Sequence, residues 1–515
     1  MLVKTYSAEV MGLEATTVTI EVNMTRGMMF HLSGLADTAV KESYDRIRAA
    51  IANIGLKPPT ADITINLSPA DIRKEGSGYD LPLAIGLLAA HGKISDAKLQ
   101  DYMMVGELGL DGALKPVNGI LSVAIRARKE KFKGLFVPRA NAREAAVVNN
   151  LLVYGVDNLT DVISFLNDAE DYEPTIVDTR KEFYEHQYSY DLDFADVKGQ
   201  EGVKRALEVA AAGGHNMIMV GPPGSGKSMM ARRLPSILPP LSLAESLETT
   251  QIHSIAGKLA SGTSLISQRP FRSPHHTVSQ VALTGGTSKA IPGEVSLAHN
   301  GVLFLDELTE FTKSTLEVLR QPLEDRKITI SRAKYTVDYP CSFMFVASMN
   351  PCPCGYYGDP THHCTCTPGQ ISRYLSKISG PMLDRIDIHI ECANLTFQEI
   401  SLMKQGESSA SIRERVIKAR NIQEKRYLDY KGIHCNAQMT ERMIHQFAEP
   451  DEKSLDLLRI AMERLKLSAR AYNRILKVAR TIADLDNSEK IQSHHIAEAI
   501  GYRNLDRGDW AERGI

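Results

Sequence analysis

Residues 217–228 read Met-Ile-Met-Val-Gly-Pro-Pro-Gly-Ser-Gly-Lys-Ser, an apolar run followed by a glycine-rich loop. A strand, such a loop and a helix in this order surround phosphates with backbone N–H groups and the positive end of the helix. Lys227 is expected to reach the β- and γ-phosphates, and the Ser228 hydroxyl to ligate Mg²⁺. The stretch therefore predicts a nucleoside triphosphate site formed by Gly221, Pro222, Pro223, Gly224, Ser225, Gly226, Lys227 and Ser228.

Two later apolar runs end in polar residues of the kind that a hydrolytic site needs. Residues 301–305 lead into Asp306 and Glu307, and residues 342–348 lead to Asn350. We expect Asp306 to complete the Mg²⁺ coordination and Glu307 to orient and deprotonate the attacking water. Asn350 at the tip of a neighbouring strand would reach the γ-phosphate or the water. Its alternative role is to start a turn before the following proline.

Two arginine-containing segments complete this pattern. Arg385 lies in the string Leu-Asp-Arg, and Arg470 lies in Ser-Ala-Arg at the start of a helical segment. An arginine from a neighbouring subunit can stabilise the charge that develops during phosphoryl transfer. A lone arginine is more commonly a surface ion-pair residue, so these roles depend on the whole set of motifs.

The order of these motifs resembles the magnesium-chelatase-like branch of the AAA+ ATPases and, more closely, the ComM/YifB family. The strings that carry this resemblance are residues 193–200, 269–277, 292–300, 350–355, 379–385 and 468–485. The resemblance implies an α/β fold with a P-loop AAA+ core, hexameric rings, and ATP and Mg²⁺ as cofactors. It also places Gly199 and Gln200 near the adenine, Asn350 as the first sensor, Arg385 as the trans-acting finger and Arg470 as the second sensor, with Arg474 as its alternative.

The chain is expected to divide into four parts. Residues 1–166 resemble the α+β Lon-protease-like (S5 domain 2-like) domain, and residues 167–193 form an acidic linker. Residues 194–395 form the AAA+ core with a cysteine-rich insertion at 352–366, and residues 396–515 form a helical lid. A Ser–Lys protease dyad is not expected, because the two catalytic positions align with Gly78 and Leu121, and Ser77 is one residue out of register.

Four of the seven cysteines fall within one short segment, as Cys352-Pro-Cys354 and Cys364-Thr-Cys366. Four thiolates can close a tetrahedral structural Zn²⁺ site, and His362 or His363 could replace one of them. The one-residue spacing is tighter than usual, so free reduced cysteines in a surface loop remain the alternative. The isolated Cys341, Cys392 and Cys435 are interpreted as packing residues.

The composition is that of a globular protein. The net charge is −2, and no run approaches the length of a membrane span. The N-terminus alternates like a strand and lacks the apolar block of a signal peptide, which predicts a cytoplasmic protein without a membrane partner.

Because the net charge is close to zero, DNA contacts would have to come from local basic segments, although these residues could equally be solvated charges or contacts between subunits. The candidates are Arg269, Arg272, His275, His276, Arg326, Arg332 and Lys334. The favoured hypothesis is an ATP-driven DNA branch-migration helicase of the ComM type, acting in recombination or natural transformation. The alternative is a chelatase-type ATPase that remodels a protein or inserts a metal.

Overall fold

The computed structural model of the protein describes residues 1–260, 262–286, 290–332, 335–360, 362–394, 406–465, 467–503 and 505. Among these residues, no helix is both long enough and apolar enough to cross a bilayer.

The N-terminal region combines a mixed sheet with helices. Its strands are β1 (Leu2–Met11), β2 (Glu14–Thr25), β3 (Phe30–Ser33), β4 (Asp62–Ser68), β5 (Tyr102–Met104), β6 (Glu107–Leu108), β7 (Leu114–Lys115), β8 (Gly134–Pro138) and β9 (Leu152–Val156). Its helices are α1 (Thr38–Asn53), α2 (Asp80–Ala90), α3 (Ile120–Lys129), α4 (Ala142–Ala145) and α5 (Leu159–Leu166). Seven strands form one sheet in the order β3-β4-β2-β1-β5-β8-β9, as expected for an α+β region.

Alternating apolar residues explain the long antiparallel pair β1–β2. Val18, Ile20 and Val22 of β2 are fully buried, whereas the residues between them are partly exposed. Successive side chains of a strand point to opposite faces, so this pattern buries one face against the helices. Helix α2 is apolar all round and is buried along its whole length.

The protease-like positions of this region carry no nucleophile–base pair. Gly78 has no side chain, and Leu121 is buried in α3. The Ser77 hydroxyl donates to Glu107, and the buried Lys74 donates to the backbone carbonyls of Pro69 and Ile72. The two side chains thus bond to other groups and not to one another.

The segment 167–193 is more ordered than a linker with few apolar anchors. It contains helix α6 (Thr179–His186), which is capped by the Asp178 carboxylate. Phe183 of α6 is buried in one hydrophobic cluster with residues of α3 and with Leu241 and Leu265. This packing ties the N-terminal region to the residues that follow the phosphate-binding loop.

The second sheet is wholly parallel, with strand order β11-β12-β15-β10-β16. Its strands and the hairpin β13–β14 are β10 (Met217–Val220), β11 (Phe271–Arg272), β12 (Val302–Leu305), β13 (Lys327–Arg332), β14 (Tyr335–Pro340), β15 (Met344–Met349) and β16 (Ile388–Glu391). The helices are α7 (Glu201–Gly213), α8 (Lys227–Arg233), α9 (Leu243–Ile255), α10 (Gln280–Thr284), α11 (Glu294–Leu297), α12 (Lys313–Glu317), α13 (Arg320–Asp325), α14 (Pro368–Leu375) and α15 (Gly380–Leu383).

The C-terminal residues are helical, as expected. The helices described there are α16 (Ser409–Arg426), α17 (Glu441–Phe447), α18 (Glu452–Leu465), α19 (Ala469–Leu485) and α20 (Ser493–Gly501). The apolar face of α19 packs into the same cluster as α7 and β10, so these helices rest directly on the core. The expected boundary at 395/396 lies outside the described residues.

Candidate nucleotide site

The phosphate-binding loop joins the carboxyl end of β10 to the start of α8. Strand β10 is completely buried between β15 and β16, which fixes where the loop begins. Gly224 and Gly226 have φ values of +81° and +82°, a left-handed conformation that residues with a Cβ seldom adopt. The backbone path of the loop thus requires glycine at these two positions of the motif.

Lys227 points its ammonium group into this loop. Nζ donates to the carbonyls of Gly221 and Pro222 at 2.7 and 2.8 Å, and it lies 3.4 Å from Oδ1 of Asn350. Burial lowers the pKa of Lys227, and the nearby Asp306 and Glu307 act in the opposite direction. A cation at this place can neutralise the terminal phosphates of a nucleotide.

Hard oxygen ligands meet beside the loop. The Ser228 hydroxyl donates to Asp306 Oδ2 at 2.6 Å, and the Ser348 hydroxyl donates to the other oxygen of this carboxylate. Mg²⁺ prefers such oxygen donors, so Ser228 and Asp306 fit the ion that accompanies a bound nucleotide. Sequence reasoning missed Ser348; the signal was its position beside Asp306 on the adjacent strand, which pairing of β12 with β15 reveals.

Glu307 occupies a backbone conformation that is unusual for its residue type. Its φ is +53°, which is costly for a residue with a Cβ and is often retained at functional sites. The carboxylate is 61% exposed and lies 3.7 Å from Nδ1 of His276. His276, which was expected to face DNA, thus lies beside Glu307, and its ring centroid lies 4.0 Å from that of His275.

Asn350 and Gln200 connect neighbouring parts of the site. Asn350 follows β15, next to the strand that carries Asp306 and Glu307, and accepts from Lys227. Gln200, itself in a left-handed conformation beside Gly199, places its amide between the Ser225 carbonyl and the Ala393 carbonyl. The expected site residues at this end of the sheet are therefore brought together around one loop.

The arginines lie at the other end of the same sheet. The Arg385 carbonyl accepts from Asn216, the residue before β10, whereas the phosphate-binding loop follows the end of β10. Strand β10 has four residues, so about 13 Å of strand separates the two ends. Arg385 and Arg470 both line a cleft of about 220 Å³ that also includes Asp384, Glu324 and Lys477.

The two arginines differ in how tightly they are held. Arg385 is paired with Glu324 and donates to the Pro381 carbonyl at 2.6 Å. Arg470 is 73% exposed and donates to Asp384 at 3.0 Å. Arg474, the alternative, is instead bound to the buried Asp387 at 2.5 Å. The exposure of Arg470 favours it over Arg474 for contact with a ligand.

Asp387 organises the core beneath this cleft. It also accepts from His215, and although burial acts to raise its pKa, Arg474 and His215 hold that pKa well below its usual range. Burial lowers the pKa of Lys477, close by, to about 8. These buried charges form a network that depends on a single carboxylate.

Replacement of Asp387 by asparagine is expected to destabilise the protein by about 3 kcal/mol, because it leaves the partly buried Arg474 and the fully buried His215 without their carboxylate partner. The measurement is the shift of the thermal unfolding midpoint. The matched control is Asp456→Asn, which breaks the exposed Asp456–Arg459 pair and should change little. Equal shifts for the two variants would contradict the structural role of Asp387.

The four clustered cysteines come together, as the zinc hypothesis requires. Their sulfur atoms all lie within 4.8 Å of one another, and three of the distances are 3.3, 3.6 and 3.7 Å. Four sulfurs at about 2.3 Å from one Zn²⁺ ion would be about 3.8 Å apart. His362 instead stacks on Tyr356 and lies 3.7 Å from Asp359, and it is not part of the group formed by the four sulfur atoms. Cys341, Cys392 and Cys435 are buried singly.

Two of the expected DNA contacts are engaged within the protein. The Arg269 side chain is 15% exposed and donates to the backbone carbonyls of Asn300, Pro239 and Pro240, so it holds these segments together. Burial lowers its pKa, an effect that the adjacent Glu245 opposes. Arg272 forms a bidentate pair with Glu294 at 2.6 and 2.7 Å. The geometry therefore does not favour Arg269 as a DNA contact, because its donors are already used.

Three of the other basic candidates lie in or beside a hairpin in the sequence, which β13 and β14 form as an antiparallel pair. Arg326 precedes the hairpin and is half-buried, with its guanidinium 3.4 Å from Ser342. Arg332 ends β13, but its side chain lies outside the described structure, as does Lys334 entirely. His275, which precedes helix α10 in the sequence, is exposed.

Comparison with known proteins extends these findings over the whole chain. Three family models match: "Magnesium chelatase, subunit ChlI" at residues 193–400, "Subunit ChlI of Mg-chelatase" at 20–141 and "Magnesium chelatase, subunit ChlI C-terminal" at 406–503. Competence protein ComM of Haemophilus influenzae is 43% identical over 504 residues, which cover 98% of this chain and 97% of that protein.

Two further relatives agree. YifB of Escherichia coli is 44% identical over 500 residues, covering 96% of each chain. Lon protease 2 of Bacillus subtilis is 32% identical over 158 residues, covering 28% of this chain and 27% of that protein. The AAA+ family implies ATP and Mg²⁺ as cofactors and suggests ATPase activity. The chain belongs to the ComM/YifB family of magnesium-chelatase-like AAA+ proteins, with a Lon-like N-terminal region.

Proposed function

We propose that the protein is an ATP-hydrolysing ring motor that moves DNA, as a branch-migration helicase in recombination or natural transformation. The main support for a ring of subunits is the position of the two arginines. Arg385 and Arg470 share one cleft at the amino end of the parallel sheet, whereas Lys227, Asp306 and Asn350 lie at its carboxyl end. Such arginines are too far from the nucleotide of their own subunit, so they suit the nucleotide of a neighbour in a ring.

In this proposal each subunit contributes half of every hydrolytic site. Lys227 and the loop N–H groups hold the phosphates. Asn350 accepts from Lys227, and Ser348 donates to Asp306, so these contacts orient the lysine and the carboxylate. Mg²⁺, held by Ser228 and Asp306, would neutralise phosphate charge when bound. Glu307 accepts the proton of the attacking water, while the neighbour's arginines stabilise charge as the phosphoryl group transfers.

Support for DNA as the partner comes from the relatives and from the hairpin. A relative that matches nearly the whole chain is named a competence protein. The hairpin β13–β14 has Arg332 at the end of its first strand, where a basic residue suits contact with a phosphate backbone in a channel. The alternative, a chelatase-type remodelling ATPase, is supported by the family models, which match residues 20–141 of the Lon-like region as well as the ATPase core. The response of ATP hydrolysis to DNA separates the two functions.

Branched DNA is expected to stimulate ATP hydrolysis severalfold over the rate without DNA, and the stimulation should fall steeply with salt because phosphate contacts release counterions. The experiment compares no DNA, single strands, duplex and a four-way junction. Arg332→Ala combined with Lys334→Ala should keep the basal rate and lose the stimulation. The matched control is Lys327→Ala on the same hairpin, whose charge is already paired with Asp338 at 3.6 Å.

Two results would count against DNA as the substrate. One is that no DNA binds or stimulates at low salt. The other is that DNA stimulates the Arg332→Ala, Lys334→Ala double variant and the Lys327→Ala control to the same extent. Either outcome favours the chelatase-type alternative, in which the motor acts on a partner protein.

The proposed cofactors are ATP, Mg²⁺ and a structural Zn²⁺ ion held by Cys352, Cys354, Cys364 and Cys366. The sulfur separations support this ligand set, since they are those of four thiolates around one small ion. Four protein ligands leave no position open for a substrate, so the proposed role is structural.

A further inference from the structure

The segment that carries the four cysteines lies directly against the phosphate-binding loop. Cys352 is fully buried and stands two residues after Asn350, which contacts Lys227. Gly355 packs on Pro223 so closely that a Cβ at Gly355 would lie 2.6 Å from Pro223 Cδ. The cysteine segment therefore supports two parts of the nucleotide site, Asn350 and the loop itself.

The same segment forms one wall of a cavity of about 220 Å³ beside the loop. The cavity is bounded by residues 220–222 of the loop, by Pro351 and residues 357–360, and by residues 391–394 after β16. The Tyr357 hydroxyl is buried and has no hydrogen-bond partner among the described residues. A buried hydroxyl without a partner is uncommon, and a polar ligand group in the cavity would supply one.

Besides the cysteines, a few contacts hold this wall: Asp359 accepts from the His362 N–H and from the Asn394 amide, and Gly355 packs on Pro223. The described residues of 352–360 and 362–366 form no regular helix or strand, and Gly355 and Gly358 have left-handed φ values. Few apolar side chains are available to pack the segment, so its conformation depends on its cross-links. A metal ion joining Cys352 and Cys354 to Cys364 and Cys366 closes the segment into a small loop around Tyr357.

We propose that Zn²⁺ held by the four cysteines fixes this segment as a wall of the nucleotide pocket, so that metal occupancy controls the affinity for ATP. The inference rests on the proposed nucleotide and zinc sites. Tyr357 is assigned as a ligand-binding residue whose hydroxyl bonds to a polar group of the nucleotide. Loss of the metal frees Tyr357 and removes the support behind Pro223 and Asn350.

The test measures zinc content and ATP binding in the same preparations of the full chain. Zinc is quantified by mass spectrometry, and the Kd for a fluorescent ATP analogue is measured before stripping with a chelator, after it, and after zinc is restored. Stripping is expected to weaken binding about tenfold or more, and restored zinc to reverse the change. Stripped protein that binds ATP with unchanged Kd would overturn the inference.

Two variants and one control distinguish the loss of this cavity wall from general unfolding of the protein. Tyr357→Phe should retain one zinc per chain and weaken ATP binding about three- to tenfold, since only one hydrogen bond is lost. Cys364→Ser should lose zinc, whereas the buried Cys341→Ser, which lies outside the cluster, should keep both zinc and ATP binding. An unchanged Kd for ATP in the Tyr357→Phe variant would show that the Tyr357 hydroxyl does not bind the nucleotide.

The failures are distinguishable from one another. Protein that contains no zinc as isolated would overturn the zinc site. Protein whose ATP binding is not weakened by Lys227→Ala would overturn the proposed nucleotide site. Zinc-loaded protein that binds ATP through Lys227 but is insensitive to zinc removal would overturn only the present inference.

Discussion

Replacing Lys227 by alanine is expected to reduce ATP hydrolysis to about 1% of the wild-type rate or less, and to weaken ATP binding, because the loop loses its one buried cation. Nζ of Lys227 is surrounded by the Gly221 and Pro222 carbonyls, the Ser225 hydroxyl and Asn350. No other described side chain is seen to place a cation in this loop. The measurement is steady-state hydrolysis together with equilibrium binding of an ATP analogue.

Replacing Glu307 by glutamine is expected to separate binding from hydrolysis. Glutamine preserves the shape of the side chain but cannot accept a proton from water, so the rate should fall about a hundredfold or more with little change in Kd. Lys181→Ala, an exposed change in helix α6, is the control and should leave both quantities unchanged. Hydrolysis at the wild-type rate by Glu307→Gln would exclude Glu307 as the general base.

The carboxyl-end half of this site was predictable from the sequence for a simple physical reason. The polar residues there directly follow buried apolar strands, and parallel strands of one sheet bring their carboxyl ends to one edge. Asp306 follows β12 and Asn350 follows β15, so finding the strands was enough to bring both to the loop after β10. The glycines at 224 and 226 added the required left-handed turns.

The basic residues were harder to interpret, because their roles depend on partners that are distant in the sequence. Arg269 looks like a surface cation in its local context, yet it is buried against carbonyls of Pro239 and Asn300. His276 follows a two-residue strand, and only the pairing of β11 with β12 brings it to Glu307. Charge patterns alone do not reveal such contacts.

The location of the arginines also could not be read from the sequence. Arg385 and Arg470 are 85 residues apart, and nothing local shows that they share a cleft. The resemblance assigned Arg385 to a neighbouring site and named Arg470 a sensor, without saying which subunit it serves. Because both face the amino end of the sheet, we expect both to serve the neighbour's nucleotide.

Alanine at Arg385 is expected to lower kcat about a thousandfold, because the transition state loses a charge-stabilising arginine, while Arg385→Ala protein should still bind ATP. Mixing it in equal amounts with Lys227→Ala protein should restore activity. In a random mixed ring, about one quarter of the interfaces join an intact loop to an intact arginine. The recovery is measured as hydrolysis after the subunits have exchanged, with each variant alone as the control.

The decisive mixture combines Arg385→Ala with Arg470→Ala. If both arginines act on the neighbour's nucleotide, as their shared cleft requires, every subunit in this mixture presents an incomplete pair, and no interface recovers. If Arg470 instead served its own subunit, an Arg385→Ala subunit beside an Arg470→Ala subunit would form a complete site. Recovery in this mixture would therefore contradict the shared role. Its absence, together with recovery of each variant by Lys227→Ala protein, would establish that one subunit supplies both arginines to the next.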